Sequence, residues 1–423
     1  MPLFSRRWIV GVGVPALAVA QSRADDQVGF GHETYVEDHG RMEINTETVR
    51  VEKTIGPWLD LTVRGVYDGI SGATPTGAPA LDQLTLRQPK THTPTPSTAI
   101  TGYTRSLDAV SGASPGAAGG NAALSRNTIP LADSHDIRRG IDVATALTFG
   151  ANRLTPEFSY SRENDYISYA GALYYALELN EKNTILNVGW SHSYDQVLAN
   201  SFTYLTSRAI KNSDDFLVGF AQVLTPQTLM SMNATIGHEE GYLNDPYRSV
   251  VFDETSLDAN ARALLEGEKR PSTRDSQAVL LSLTQAVQPL DGSIEAGYRF
   301  YHDSYGIIAN TIDVAWYQKI GQMAVMSPSL RYYRQGAAHF YDIQFAGDPI
   351  NDPGRVPRYY SSDYRLSFLE AFTVGIEGTI KLSDQFDLKF GYQRYWLGGL
   401  DHQTRQSTYP GANIFTIGLN YSF

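Results

Sequence analysis

Cysteine is absent from the 423 residues, which excludes disulfide staples and thiolate metal sites. Its absence suits a chain that crosses an oxidising compartment unfolded. Positive charge is scarce: 34 Lys and Arg against 45 Asp and Glu leave a formal charge of −11. Such a balance argues against nucleic-acid binding, which needs a basic face. Beyond the first residues there is no apolar run of the roughly 20 residues a membrane helix requires. What the chain has in quantity is aromatic, with 26 Tyr outnumbering 17 Phe and 5 Trp.

The first residues read as a targeting segment. Arg6 and Arg7 form its charged region, Trp8 to Val19 its apolar run, and Ala18-Val19-Ala20 a small-residue cleavage site. Cleavage is expected after Ala20, or alternatively after Ala24, leaving 25–423 as the folded part. Removing Met1 to Ala20 takes the charge from −11 to −13. The Arg pair is also compatible with twin-Arg export, but that route carries folded cargo, whereas a barrel must arrive unfolded. At the other end Phe415, Ile417, Leu419, Tyr421 and Phe423 alternate with polar residues. A last strand that stops on an aromatic residue resembles the signal by which the barrel-assembly machinery recognises outer-membrane barrels.

Between these ends period-two alternation recurs in segments of about 9–11 residues, the length of a tilted transmembrane strand. Leu59, Leu61, Val63 and Tyr67 alternate with Asp60, Thr62, Arg64 and Asp68, and Ile312, Val314, Trp316 and Ile320 oppose Thr311, Asp313, Tyr317 and Lys319. Sixteen strands are expected, near 29–37, 42–53, 58–68, 137–149, 152–162, 165–178, 183–194, 214–224, 228–239, 275–287, 292–302, 308–320, 323–334, 363–382, 385–396 and 413–423. Every second joint is tight, and all the long ones (69–136, 195–213, 240–274, 335–362 and 397–412) fall on the other side. Short periplasmic turns and long outer loops are the outer-membrane pattern. The fold class is therefore an all-β, antiparallel transmembrane barrel of the bacterial outer membrane. Fourteen strands is the alternative if the weakly apolar first hairpin does not span. Bilayer lipid and lipopolysaccharide are the surroundings this fold implies.

The polar faces carry both signs (Arg64, Asp142, Glu157, Glu295, Arg299, Asp313, Lys319, Arg331, Glu377, Lys381, Asp387 and Lys389), so a salt-bridged or weakly selective lumen is expected. Glu370 interrupts the apolar face of Leu366, Phe368, Phe372, Val374 and Ile376, through either a bulge or a strand end beyond the lipid. His192, His238, His302, His339 and His402 fall near carboxylates at outer strand ends, without metal-ligand spacing. Leu257 to Lys269 has helical character inside one outer loop.

Several segments resemble a full-length family of bacterial outer-membrane barrels known only as a domain of unknown function: Tyr67 to Gly77, Leu154 to Ser161, Asn180 to Thr184 and Tyr360 to Arg365. The resemblance implies fold and location and no established activity. Inside the first segment, Asp68-Gly69-Ile70-Ser71-Gly72-Ala73-Thr74 looks like the acceptor motif of proteins modified by bacterial flavin transferases. By that resemblance Thr74 would receive the phosphate of FMN as a phosphoester, with Asp68, Ser71, Gly72 and Ala73 as recognition positions. A second copy, Asp108 to Pro115, places Ser114 at the acceptor position. The chemistry needs an exposed hydroxyl with small neighbours, and both copies lie in a Gly/Ala/Ser/Thr/Pro-rich stretch, read as an exposed loop 69–136. Plain linker chemistry produces similar strings. Two functions follow. One is a barrel carrying covalent FMN and passing electrons, with a periplasmic flavin transferase and redox proteins as partners. The other is a porin-like channel or transport barrel whose loop is a plug or constriction. Neither reading requires a catalytic trio, and no Ser-His-acid spacing singles one out.

Overall fold

The computed structural model describes residues 26–79, 129–133, 135–199, 205–253 and 263–423. The targeting segment and the second motif copy with Ser114 lie outside the described residues. Sixteen long strands close into one antiparallel ring. In chain order they begin with β1 (Gln27–Glu37), β2 (Met42–Ile55) and β3 (Leu59–Pro75). A short β4 (Leu131–Asp133) precedes β5 (Asp136–Phe149), β6 (Asn152–Arg162), β7 (Tyr166–Leu179), β8 (Thr184–Val197), β9 (Ala209–Thr225) and β10 (Thr228–Gly241). Two short loop strands, β11 (Ser249–Asp253) and β12 (Ala263–Gly267), come before β13 (Thr273–Val287), β14 (Gly292–Asp303), β15 (Ile308–Ile320) and β16 (Ala324–Gln335). The last short strand is β17 (Phe345–Ala346), followed by β18 (Leu369–Lys381), β19 (Phe386–Gly399) and β20 (Ala412–Ser422).

All sixteen expected spans are present, including the first hairpin. It is indispensable to closure, because β1 pairs with β2 on one side and with β20 on the other. Closure leaves no unpaired edge, which is what lets strands cross a bilayer that offers their backbone no water. The apolar residues sit outside: Phe30, Phe158, Trp190, Phe216, Val218, Ile236, Ile312, Val374 and Ile417 are all exposed. In water such a belt would be an aggregation surface; in a bilayer it is the lipid contact. The protein is thus an integral outer-membrane barrel. Among the described residues no helix is long and apolar enough to cross a membrane.

The polar face turns inward and pairs charges across strands, Arg64 with Asp142 at 2.7 Å and Arg331 with Asp313 at 2.8 Å. This matches the expected mixed-sign lumen. Glu370 needs no bulge: the β16–β18 register runs unbroken through the Glu370–Arg334 pair, and Tyr332 Oη donates to its carboxylate at 2.9 Å. It sits one residue inside a strand that starts at Leu369, six residues later than the sequence pattern places it. The residues before it form a single 3-10 turn, Tyr364–Leu366, capped by the Asp363 side chain.

Two other expectations change. The described part of the expected helical stretch, 263–269, is extended: 263–267 is strand β12, paired antiparallel with β11, and Lys269 bridges to Tyr360. Pairing with β11 goes with the extended backbone, and β11 itself is anchored by Phe252, which packs edge-on against Tyr360 at 4.8 Å beside Phe345. And β3 does not end at Asp68: it continues to Pro75, carried by pairing to β2 and then to β4.

Candidate functional site

Three segments meet at the long-loop end. They are the continuation of β3 (74–79), the connection after β10 (242–272) and the connection after β16 (336–368). Around the ring β3 is the third barrel strand, β10 the ninth and β16 the thirteenth. Segments rooted so far apart on the circumference can only meet over the lumen.

Their meeting point is a buried network of charge. Arg248 Nε lies 3.1 Å from Asp245 and 3.7 Å from Asp363. Arg270 holds Glu268 at 2.7 Å and Asp363 at 2.8 Å. Arg365 reaches Asp363 through Nε at 2.9 Å and also pairs with Asp245. Three carboxylates face three guanidiniums, so the cluster is neutral as a whole, the condition for keeping ions out of water. Burial alone would raise Asp245, but Arg248 and Arg365 outweigh it and hold the carboxyl below the usual range. Asp363 is likewise held well below it, chiefly by Arg365 and Arg248 acting against its burial. Glu268 goes the other way: burial raises it more than Arg270 lowers it, and Ser361 Oγ donates to it at 2.5 Å.

An aromatic layer surrounds the ions. Tyr364 packs edge-on against Tyr409 at 5.5 Å, beside the inward-facing Leu369, Ala371 and Leu397. Tyr305, Ile307, Ala338 and Leu366 form a second buried group with Tyr301 and Ala309 of the wall. Residues that would line an open channel are instead the floor of a core built by the loops. The lumen still holds a cavity of about 680 Å³, whose lining includes His32, Glu33, Arg64, Asp142, Glu377 and Lys389.

The acceptor-like motif is part of this mouth rather than of an exposed loop. Asp68 is buried, ion-paired to Arg138 at 2.6 Å and bonded by the Thr46 hydroxyl at 2.5 Å. Ser71 stands opposite Glu43, and Gly72 opposite Met42, with φ +122 and no space for a Cβ beside the Arg41 carbonyl. The Ala73 amide donates to that same carbonyl at 2.5 Å. Thr74 is only 9% exposed, and its hydroxyl accepts from Arg248 Nη2 at 3.3 Å. Asp68 and Thr74 thus engage different arginines, and the structure does not gather the motif into one pocket. It does join two of the resembling segments. At Gly77, φ +96, a Cβ would stand 2.8 Å from the Ser362 carbonyl oxygen, and Arg248 bridges Thr74 to Asp363.

Sequence reasoning missed Asp245, Arg248, Glu268 and Arg270. A signal was there: Asp245/Arg248, Glu268/Arg270 and Asp363/Arg365 are acid–Arg couplets, each two or three residues apart in a long loop. The rim histidines do not converge. His192 pairs with Asp214 and His238 with Asp275.

No curated protein matches the sequence. Among solved structures it is similar to the siderophore receptor PirA from Pseudomonas aeruginosa, at 9% identity over 89% of this chain and 57% of that one, with a TM-score of 0.39. CdiB from Acinetobacter baumannii aligns at 8% identity over 95% of this chain and 61% of that one, TM-score 0.47. A bacterial polysaccharide outer membrane secretin aligns at 8% identity over 95% and 100%, TM-score 0.44. The chain spans little more than half the length of the receptor structures it matches. A family model covers nearly all of it, residues 13–423, and the chain belongs to that family, the proteins of unknown function DUF3570.

Proposed function

We propose that the protein is a gated passage for small hydrophilic solutes across the outer membrane, closed at rest by its own loops. The observation that carries this reading is the neutral charge network held over a polar lumen with a cavity of about 680 Å³. Buried ions regain their hydration when the loops that pair them part, whereas a permanent seal is better made of apolar side chains. The mixed-sign lining suits uncharged or zwitterionic solutes over a single ion class. Planar-bilayer recording tests it: the wild-type protein is expected to stay mostly closed, and variants that break the network to conduct. Failure of every network variant to conduct, with the barrel folded, sinks the reading.

A second reading keeps the covalent flavin. One observation favours it: Arg248 Nη1 is buried with no hydrogen-bond partner while Nη2 reaches Thr74. A guanidinium so placed is a natural partner for a phosphate on that hydroxyl. FMN would supply reversible electron storage. Because Thr74 is buried, a periplasmic flavin transferase would have to act before the mouth closes, and redox proteins would follow as partners. Native-host protein run on a denaturing gel should then fluoresce under ultraviolet light. Fluorescence that is absent, or that persists in Thr74→Ala, ends this reading.

A further inference from the structure

Where the chain returns from its longest connection to start β5, three carboxylates are buried together. Asp136 is the first residue of that strand, and Glu163 and Asp165 belong to the turn between β6 and β7. They are 9%, 3% and 4% exposed. One oxygen from each lies within 4.8 Å of the other two. That is the greatest separation two ligands can have around an ion bound at about 2.4 Å, the calcium–oxygen distance.

Part of this group is satisfied by the protein. Asp136 Oδ1 accepts from the amides of Ile137 at 2.6 Å and Asn164 at 3.1 Å, which aims the carboxyl across the turn. Asp165 takes the hydroxyl of Tyr247, from the loop after β10, and its backbone oxygen takes the Leu198 amide at 2.7 Å. Glu163 is different: its Oε2 is buried with no hydrogen-bond partner. The guanidinium facing the group, Arg138, is ion-paired to Asp68 at 2.6 Å. Like charges packed this tightly repel one another unless a cation or a proton lies between them. Nitrogen and sulfur ligands are missing from the set, so soft metals gain nothing here. Magnesium, which gives up its water reluctantly, suits a buried protein-only cage less than calcium does.

We propose that Asp136, Glu163 and Asp165 bind a calcium ion that braces the rim of the mouth. The ion ties the start of β5 to the β6–β7 turn, and through Tyr247 and Leu198 the same turn already holds two further loops. Binding would therefore set where the long connection re-enters the barrel. This inference is independent of what passes through the lumen.

The test uses full-length protein in detergent, stripped of lipopolysaccharide and dialysed against a chelator, titrated with calcium chloride in a calorimeter and followed by thermal unfolding. One calcium per chain is expected, with a dissociation constant of about 0.1–1 mM, as for extracellular sites. Calcium should raise the unfolding temperature. Glu163→Gln should lose both responses, yet be at least as stable as wild type without calcium, because it removes repulsion. Asp136→Asn should behave the same way, and Asp291→Asn, in a short turn at the other end, should respond as wild type does. No calcium heat in the wild type, an equal response to magnesium chloride, or an unchanged response in both Glu163→Gln and Asp136→Asn would each overturn the proposal.

Discussion

Replacing Asp363 with Asn removes one charge from the centre of the mouth and leaves the shape nearly unchanged. Asp363 is fully buried and faces three guanidiniums, with Arg270 at 2.8 Å, Arg365 at 2.9 Å and Arg248 at 3.7 Å. Without its charge, three arginines face only Asp245 and Glu268, and one positive charge is buried uncompensated. Breaking a buried pair from one side costs about 3–5 kcal/mol. The sixteen-strand ladder does not depend on this residue, so the cost falls on the mouth and appears as local opening. At 1.4 kcal/mol per decade, about 4 kcal/mol raises the open fraction roughly a thousandfold. Hydrogen exchange in detergent reads this directly, because Lys269 and Tyr360 trade backbone bonds at 2.9 and 2.8 Å across two of the loops. Their amides should lose protection by about that factor, while ladder amides of β10 and β13 keep theirs. Unchanged exchange at Lys269 and Tyr360 in a folded Asp363→Asn barrel would refute the idea that charge holds the mouth shut.

Acid should do the same more gently. Asp245 and Asp363 are depressed in the folded state, so their stabilisation is present above the unfolded value of about 3.9 and fades as pH falls below it. Glu268, raised by burial, works in the opposite sense and blunts the loss. Mouth amides should therefore hold their protection from neutral pH down to about 5 and lose it below about 4, as exchange corrected for intrinsic rates will show. Gly72→Ala should lower mouth stability by about 1–3 kcal/mol, because φ +122 and the Arg41 carbonyl leave an L side chain no relaxed position; thermal unfolding measures it. Asp142→Asn, whose pair with Arg64 is partly solvated, should cost no more than about 1 kcal/mol yet shift the reversal potential of an opened variant toward anions.

Much of the barrel was legible because its determinants are local. Alternation tells each strand which face meets lipid, and a turn such as Asn180-Glu181-Lys182, with three consecutive positive φ values, marks a tight reversal wherever it is placed. Loop lengths alternate along the chain, so the count of sixteen and the side of the long loops could be read without any long-range contact. Extent was less legible: β3 continues to Pro75 because β2 and then β4 offer it pairing, and a low-apolar string carries no mark of such partners.

The mouth lay beyond that reach. Asp245 and Asp363 are 118 positions apart, and Thr74 is 174 from Arg248. Nothing in a charged couplet says which other loop it will face. The sequence alone determined a ring of sixteen amphipathic strands, since a period-two pattern is a property of neighbours. Only the closed ring decided that three loops meet over the lumen, that a motif with the look of an exposed acceptor is buried there, and that the carboxylate starting β5 joins two from the β6–β7 turn. Those outcomes depend on where closure carries each loop root, and that distance is written in no single segment.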